Sequence, residues 1–396
     1  MVVPAHIASY YSAFSAEFIG GLRKPYFIDP MTYVFAQDPS QLRRFKKDKR
    51  TGRTLRDSLN QKIKGDIKRS YTKLITEYAG VIERAVTEGR RLTPSDLAEA
   101  ENAQALVKKV VDFQQQRLAS IPAKYKKYEK YASQGQTIAG QNPPMMVLPP
   151  YFLTTTIDSD SWHSINLDLA ARTKKLVTNV PVFGVVFCSV ELMREYGEQI
   201  IDDFSQLGLD GFVVWVDGFS GNQRYEDLKT VRDFISSLSR VGRPIISLYG
   251  DAFSLVLSYS GLSGYCCGIC YGEKKSADQD ADVEGGLPPR YYLSLLKKKV
   301  QIETELRRIP LADYAELVCH CEMCLRQVDR ALLEDFEARE HFMLARLGEV
   351  NTIRSGQSAT EFAQEMSAAF KKFNPLTLIG PVPHLSNWAK VLMDKR

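Results

Sequence analysis

Short apolar runs alternate along this chain with segments whose apolar residues recur at helical spacing. RKPYFIDP (23–30), MMVLPPYF (145–152), VPVFGVVFCS (180–189), DGFVVWVDG (210–218), RPIISLYGD (243–251) and GYCCGICYGE (264–273) each end in a polar or glycine-containing turn. Runs of this length without polar alternation predict strands buried on both faces. Most are followed by a helix-like segment. VELMREYGEQIIDDFSQLG, for example, spaces Leu192, Tyr196, Ile200, Ile201 and Phe204 for one helical face. Strands alternating with helices predict a parallel sheet wrapped by helices. Six or more such units predict a closed (β/α)8 TIM-type barrel, an α/β fold, over an open sheet. No GxGxxG follows the early strands, which argues against a dinucleotide-binding sheet. RYYLSLL and AELVCH are two weaker strand candidates.

Residues 41–135 break this rhythm. Leu55, Leu59, Ile63, Ile67, Tyr71, Leu74, Tyr78 and Ile82 recur every three or four positions and predict one long amphipathic helix. Thr93-Pro94-Ser95-Asp96 has the form of a second helix start. Charge changes the picture of this block. The chain carries a formal +5 overall, yet residues 41–74 hold thirteen Lys and Arg against Asp48, Asp57 and Asp66, a local net of +10. RRFKKDKRTGRTLR and the cations after it predict a positive helix face. Arg43, Arg44, Lys46, Lys47, Lys62, Lys68 and Arg69 are its candidate phosphate contacts. Nucleic acid, DNA or RNA, is the partner such charge suits, and a duplex would have to flip its target base to present it. A solvated helix face is the plain alternative.

Composition excludes several classes. The N-terminus lacks the basic start and apolar run of a secretory signal. No apolar stretch is long enough for a transmembrane helix, so no membrane partner is expected. Seven cysteines, an odd number, argue against a disulfide framework and for a reducing cytoplasmic setting.

Three of those cysteines stand together in LVCHCEMCL (317–325). Cys319, Cys321 and Cys324 form C-x-C-x-x-C, a spacing that lets thiolates converge on one tetrahedral Zn2+. His341, in the helical EDFEAREHFMLARLGEV, is the candidate fourth ligand. Four protein ligands leave no open position, so the zinc would be structural. Buried thiols in a short apolar element are the alternative. These patterns divide the chain into residues 1–40, the start of the barrel; 41–135, a basic helical insertion; 136–316, the rest of the barrel; and 317–396, a zinc-binding and helical C-terminal segment.

A C-x-C-x-x-C followed by a helical histidine, after a (β/α) barrel, resembles the tRNA-guanine transglycosylase superfamily. That group includes enzymes that place 7-deazaguanine in DNA. FGVVFCSVELMREYGEQIIDDFSQLGLDGFVVW is similar to the superfamily's FGIVQG, helix, LGFDGYAIGG order, and FIDPMTYVF to its strand ending in a base-contacting acid. The resemblance implies exchange of guanine for a 7-deazaguanine base in DNA or tRNA, with Asp29 as the acid near the base. The family's aspartate nucleophile falls by register on Cys266, its VQG glutamine on Phe187 or Cys188, and its base-stacking glycines on Trp215-Val216.

Those departures imply an alternative, a nucleic-acid or modified-base binding subunit that has lost the nucleophile. It would act with a second copy or a partner protein. A hydrolase using the same acids is a third reading. Base exchange needs a carboxylate beside the anomeric carbon, so Asp29, Asp217 and Asp251 are the candidate catalytic acids. Trp215, Gly218, Gly250, Cys266 and Glu273, also at predicted strand ends, are the candidate substrate contacts.

Overall fold

The computed structural model describes the chain apart from residues 23, 49, 52, 120–142, 269–272, 274, 279–287, 310–313, 328, 330–331, 377–379 and 395–396. The chain is mixed α/β and divides into two compact units. The first comprises Met1–Leu192, Tyr196–Asp217 and Ser276–Asp282; the second comprises Met193–Glu195, Gly218–Lys275 and Val283–Arg396.

In the first unit β1 (Val2–Pro4) leads into α1 (Ala5–Tyr10) and α2 (Ser12–Leu22), then into β2 (Phe27–Asp29), which pairs with β1 in parallel. The 145–154 segment continues the parallel arrangement through isolated bridges, Val147 to Val182 and Thr154 to Cys188. It makes no full ladder because Pro149 and Pro150 lack the N–H a ladder needs. β5 (Phe183–Cys188) and β6 (Gly211–Val216) are parallel in unbroken register, and every residue of β5 is buried. Between and beside these strands run α7 (Trp162–Leu176) and α8 (Val190–Ser205), each started by a serine cap, Ser161 and Ser189. The strand–helix alternation expected for this region is present.

The block after residue 41 differs from expectation. Its first part is antiparallel β structure, not helix. β3 (Arg43–Phe45) pairs with β4 (Lys64–Ile67), and the chain between them forms two further arms, bridged at Lys47–Thr54 and Arg56–Lys62. Three hydrogen bonds close the junction: Lys46 N–H to the Ile63 carbonyl (2.8 Å), Leu55 N–H to Lys46 (2.9 Å) and Ile63 N–H to Leu55 (3.0 Å). The period of three to four that mimicked a helix comes from turns set by aspartates. Asp48 Oδ1 accepts from the N–H groups of Arg50 and Thr51, and Asp57 Oδ1 from those of Leu59 and Gln61. Leu55 and Leu59 accordingly face solvent.

Helix begins only at α3 (Arg69–Tyr78) and restarts at α4 (Gly80–Thr87) after Ala79, whose φ of 46° breaks the axis. α5 (Pro94–Ala98) carries the capping box expected at Thr93 and Asp96, and α6 (Ala100–Gln116) follows. Residues 120–135 of the expected insertion lie outside the described residues.

In the second unit α9 (Tyr225–Ser239) precedes β7 (Ile245–Leu248), which pairs in parallel with β8 (Gly264–Cys266) across α10 (Ser254–Ser258). RYYL forms β9 (Arg290–Leu293), but it pairs antiparallel with β10 (Lys298–Gln301). AELVCH is not a strand: Ala315–Leu317 is a single 3-10 turn that hands the chain to the cysteines. Helices α11 (Glu322–Arg326), α12 (Asp335–Arg354), α13 (Ala359–Phe373) and α14 (Pro383–Met393) complete the unit. Among the described residues, therefore, β3, β4, β9 and β10 run antiparallel and lie outside the predicted parallel pattern. No described helix is long and apolar enough to cross a membrane.

Candidate functional site

The C-x-C-x-x-C stretch folds as a knuckle. Cys321 is the residue before α11, Cys324 lies within that helix, and Cys319 precedes both. The Cys321 N–H donates to Cys319 Sγ (3.3 Å), bending the chain so that the thiols share one side. α12 brings the fully buried His341 to them, with Nδ1 at 3.4 Å from Cys321 Sγ and 3.3 Å from Cys324 Sγ. The four ligand atoms all lie within 4.8 Å of one another. A tetrahedron built on metal–sulfur and metal–nitrogen bonds of about 2.3 and 2.0 Å has edges of roughly 3.5–3.8 Å, so the set could hold one metal ion.

The supporting residues come from β9, one of the two weaker strand patterns in the sequence. Tyr291 stacks on the His341 ring (centroids 4.1 Å apart, planes 2°) and its hydroxyl lies 3.4 Å from Cys324 Sγ. His341 Nε2 is 2.8 Å from the Tyr292 carbonyl. A proton on Nε2 donated there leaves Nδ1 as the ligand atom, the outer-shell arrangement common to metal-bound histidines. A hydrogen bond from Cys319 is the main cause holding the Cys324 thiol down to about 3, with His341 and Tyr291 adding to it. The same pairing pushes Cys319 up, and burial pushes Cys321 up. A metal would bind the three sulfurs as thiolates and so displace the protons they carry.

A buried ion network joins this knuckle to the rest of the second unit. Arg346, on α12, donates to Glu273 (2.6 Å) and Glu349 (3.3 Å), and Lys299 and Lys297 pair with the same two acids at 2.8 and 2.9 Å. The Tyr292 hydroxyl donates to Glu349 at 2.9 Å. Glu273 is thus a structural ion-pair member, fixed between two cations.

The candidate acids are likewise engaged. Asp29 is fully buried and accepts from the Tyr151 hydroxyl (2.7 Å) and the Met31 N–H (2.9 Å). Burial raises the neighbouring Tyr78 hydroxyl well above its ordinary value, and the Asp29 charge adds to the rise. Asp217, at the end of β6, accepts from the Ala277 N–H (2.7 Å) and from Ser276 (3.4 Å). Asp251, in the turn ahead of α10, accepts from the Phe253 N–H (2.8 Å) and from the Gly221 N–H (2.5 Å). Its enclosure pushes the carboxyl above the usual carboxylate range, and Glu273 adds to that.

Asp29→Ala would strand the buried Tyr151 hydroxyl and Met31 N–H, at about 1–3 kcal/mol for each donor. Denaturant unfolding is expected to show a loss of several kcal/mol, whereas a solvated catalytic acid would show little.

Around β5 and β6 the first unit is filled with aromatic rings. Trp215 and Phe187, each 1 % exposed, stack with centroids 3.7 Å apart and planes at 8°. Tyr33 meets Trp215 edge-on at 4.7 Å, and Tyr151 meets Phe187 edge-on at 6.0 Å. Trp215, read as a substrate contact, is core. Gly218 (φ 60°) turns the chain after β6. Gly250 packs against Ser254 and Ser247 and donates its N–H to the Cys266 carbonyl (3.0 Å), which ties the turn after β7 to the end of β8. Cys266 is half-buried.

Except for Lys68 and Arg69, the basic residues sit on the antiparallel strands and arms and not along a helix. Lys62 and Lys64 flank the Phe45 ring at 4.8 and 4.1 Å from its centroid. Arg43 donates to the Gly65 carbonyl (3.1 Å) and Arg44 pairs with Asp66 (3.2 Å), both across the β3·β4 ladder. Lys46 and Lys47 are exposed on the first arm. Lys68 and Arg69 begin α3, where Lys68 reaches the Gln41 carbonyl (3.4 Å). No family model matches the chain, and the search of curated proteins returned no match.

Proposed function

We propose that this chain is a zinc-bearing nucleic-acid-binding protein of transglycosylase-like barrel ancestry that does not exchange bases. The observation that carries this reading is the Phe187–Trp215 stack, which fills with side chains the place where the resemblance would seat a purine. Cys266 at the register of the nucleophile points the same way, since the family chemistry needs a carboxylate there. So do the hydrogen bonds that spend Asp29, Asp217 and Asp251 on structure. Zinc is the metal that a tetrahedral three-thiolate, one-imidazole set suits best, and its role would be to hold α11, α12 and β9 together. A reducing compartment such as the cytoplasm would keep its thiols available. The arms over 43–69 supply the contact surface, because dense exposed cations bind phosphates regardless of sequence.

Fluorescence anisotropy of labelled duplex DNA and tRNA tests the reading. Binding that weakens steeply with added salt is expected. Absence of binding to either at low salt would overturn it.

A further inference from the structure

The second arm of the basic block ends in a turn that differs from an ordinary solvated loop. Asp57 accepts from the Leu59 and Gln61 N–H groups (both 2.9 Å). Its own N–H donates to the Gln61 carbonyl (2.9 Å), and the Asn60 N–H donates to the Asp57 carbonyl (3.0 Å). Arg56 then donates to the Asn60 carbonyl (2.7 Å), and Asn60 takes the left-handed conformation (φ 61°) that asparagine tolerates. These bonds fix the turn before any partner arrives, which removes the ordering cost a loose loop would bear. At its tip stands Leu59, 75 % exposed, with Leu55 also exposed on the same arm. Polar side chains are the ordinary choice for such a position. Here a branched apolar one stands exposed on a hydrogen-bonded turn in the most basic stretch of the chain.

We propose that Leu59 is a wedge that enters between base pairs of a duplex whose phosphates are held by the surrounding cations. The inference rests on the nucleic-acid reading above and adds to it the partner's form and the act performed on it. Apolar side chains at the tips of basic elements unstack a base step in this way, and the unstacking is offset by the phosphate contacts that the opened duplex makes. Arg56 and Lys62, bridged across the two limbs of the arm, flank the tip, and Arg53 on the neighbouring arm adds to the charge that would take the phosphates. A single strand has no stacked pair to part, so the device specifies a duplex. A DNA duplex and an RNA stem both offer one.

The test uses full-length protein with 2-aminopurine placed inside a DNA duplex and inside an RNA stem of matching sequence. Fluorescence reports unstacking, and anisotropy reports binding. The wild-type chain is expected to bind and to raise the fluorescence severalfold in at least one of the two; which one identifies the source. Leu59→Ala should abolish the rise while affinity falls less than about tenfold, and Leu59→Phe, which keeps an apolar wedge, should restore it. Salt-sensitive binding with no rise in either probe, or a rise that persists in Leu59→Ala, would overturn the wedge and leave the nucleic-acid reading standing. No binding at all would remove both.

Discussion

Cys324→Ser is expected to lose stoichiometric metal and to destabilise the second unit severely. Cys324 is the thiol whose titration its neighbours hold down, and it is contacted by both His341 and Tyr291. Structural zinc in small sites contributes about 10 kcal/mol or more of apparent binding free energy. That is comparable with the whole stability of a domain, about 5–15 kcal/mol. Even partial loss should lower the melting temperature by on the order of 10 °C. The His341 ring is fully buried and braced by Tyr291 and Tyr292, so His341→Ala should be at least as damaging. Metal content of the purified protein and thermal unfolding with and without chelator measure both effects. A metal-free preparation with an unchanged melting temperature would make the knuckle a thiol cluster only.

The second large effect concerns the basic arms. Lys47→Glu, Arg53→Glu and Lys62→Glu together reverse charge on both arms while leaving the Asp48 and Asp57 turns intact. Each phosphate contact removed should flatten the plot of log affinity against log salt by about one. The triple variant is expected to bind on the order of a hundredfold more weakly at moderate salt, with an unchanged melting temperature. Isothermal titration across a salt series checks the slope. A slope equal to that of wild type would move the docking surface elsewhere.

How far these features could be read from the sequence depends on the range of the physics that sets them. The Cys319–Cys321–Cys324–His341 cluster was legible because C-x-C-x-x-C is local geometry and the fourth member is a histidine on a strongly helical segment. The β5 and β6 strands and the Thr93 cap were legible for the same reason: burial on both faces and capping leave local marks. The antiparallel arms were not, because Leu55, Leu59 and Ile63 repeat at a helix-like interval for reasons of turn spacing. The deciding groups were Asp48 and Asp57, whose side chains favour turns over helix. The bracing tyrosines were hidden differently. Tyr291 and Tyr292 are adjacent in β9, and the first closes on the knuckle while the second reaches Glu349, a pairing set by the packing of α12 against the strand. Nor does any local pattern tell an acid that caps or pairs from one that reacts. Asp29 and Asp251 stand at strand ends as catalytic acids do, and only their partners reveal what they hold.

Incorporation of radiolabelled guanine and 7-deazaguanine bases into duplex DNA and tRNA, on metal-loaded protein shown to bind them, tests the central claim most directly. Binding without label, in the wild type and in Asp29→Ala alike, is the predicted result. Label incorporated by the wild type would contradict it, whatever Asp29→Ala does, and would mean that the Phe187–Trp215 stack opens to admit a base.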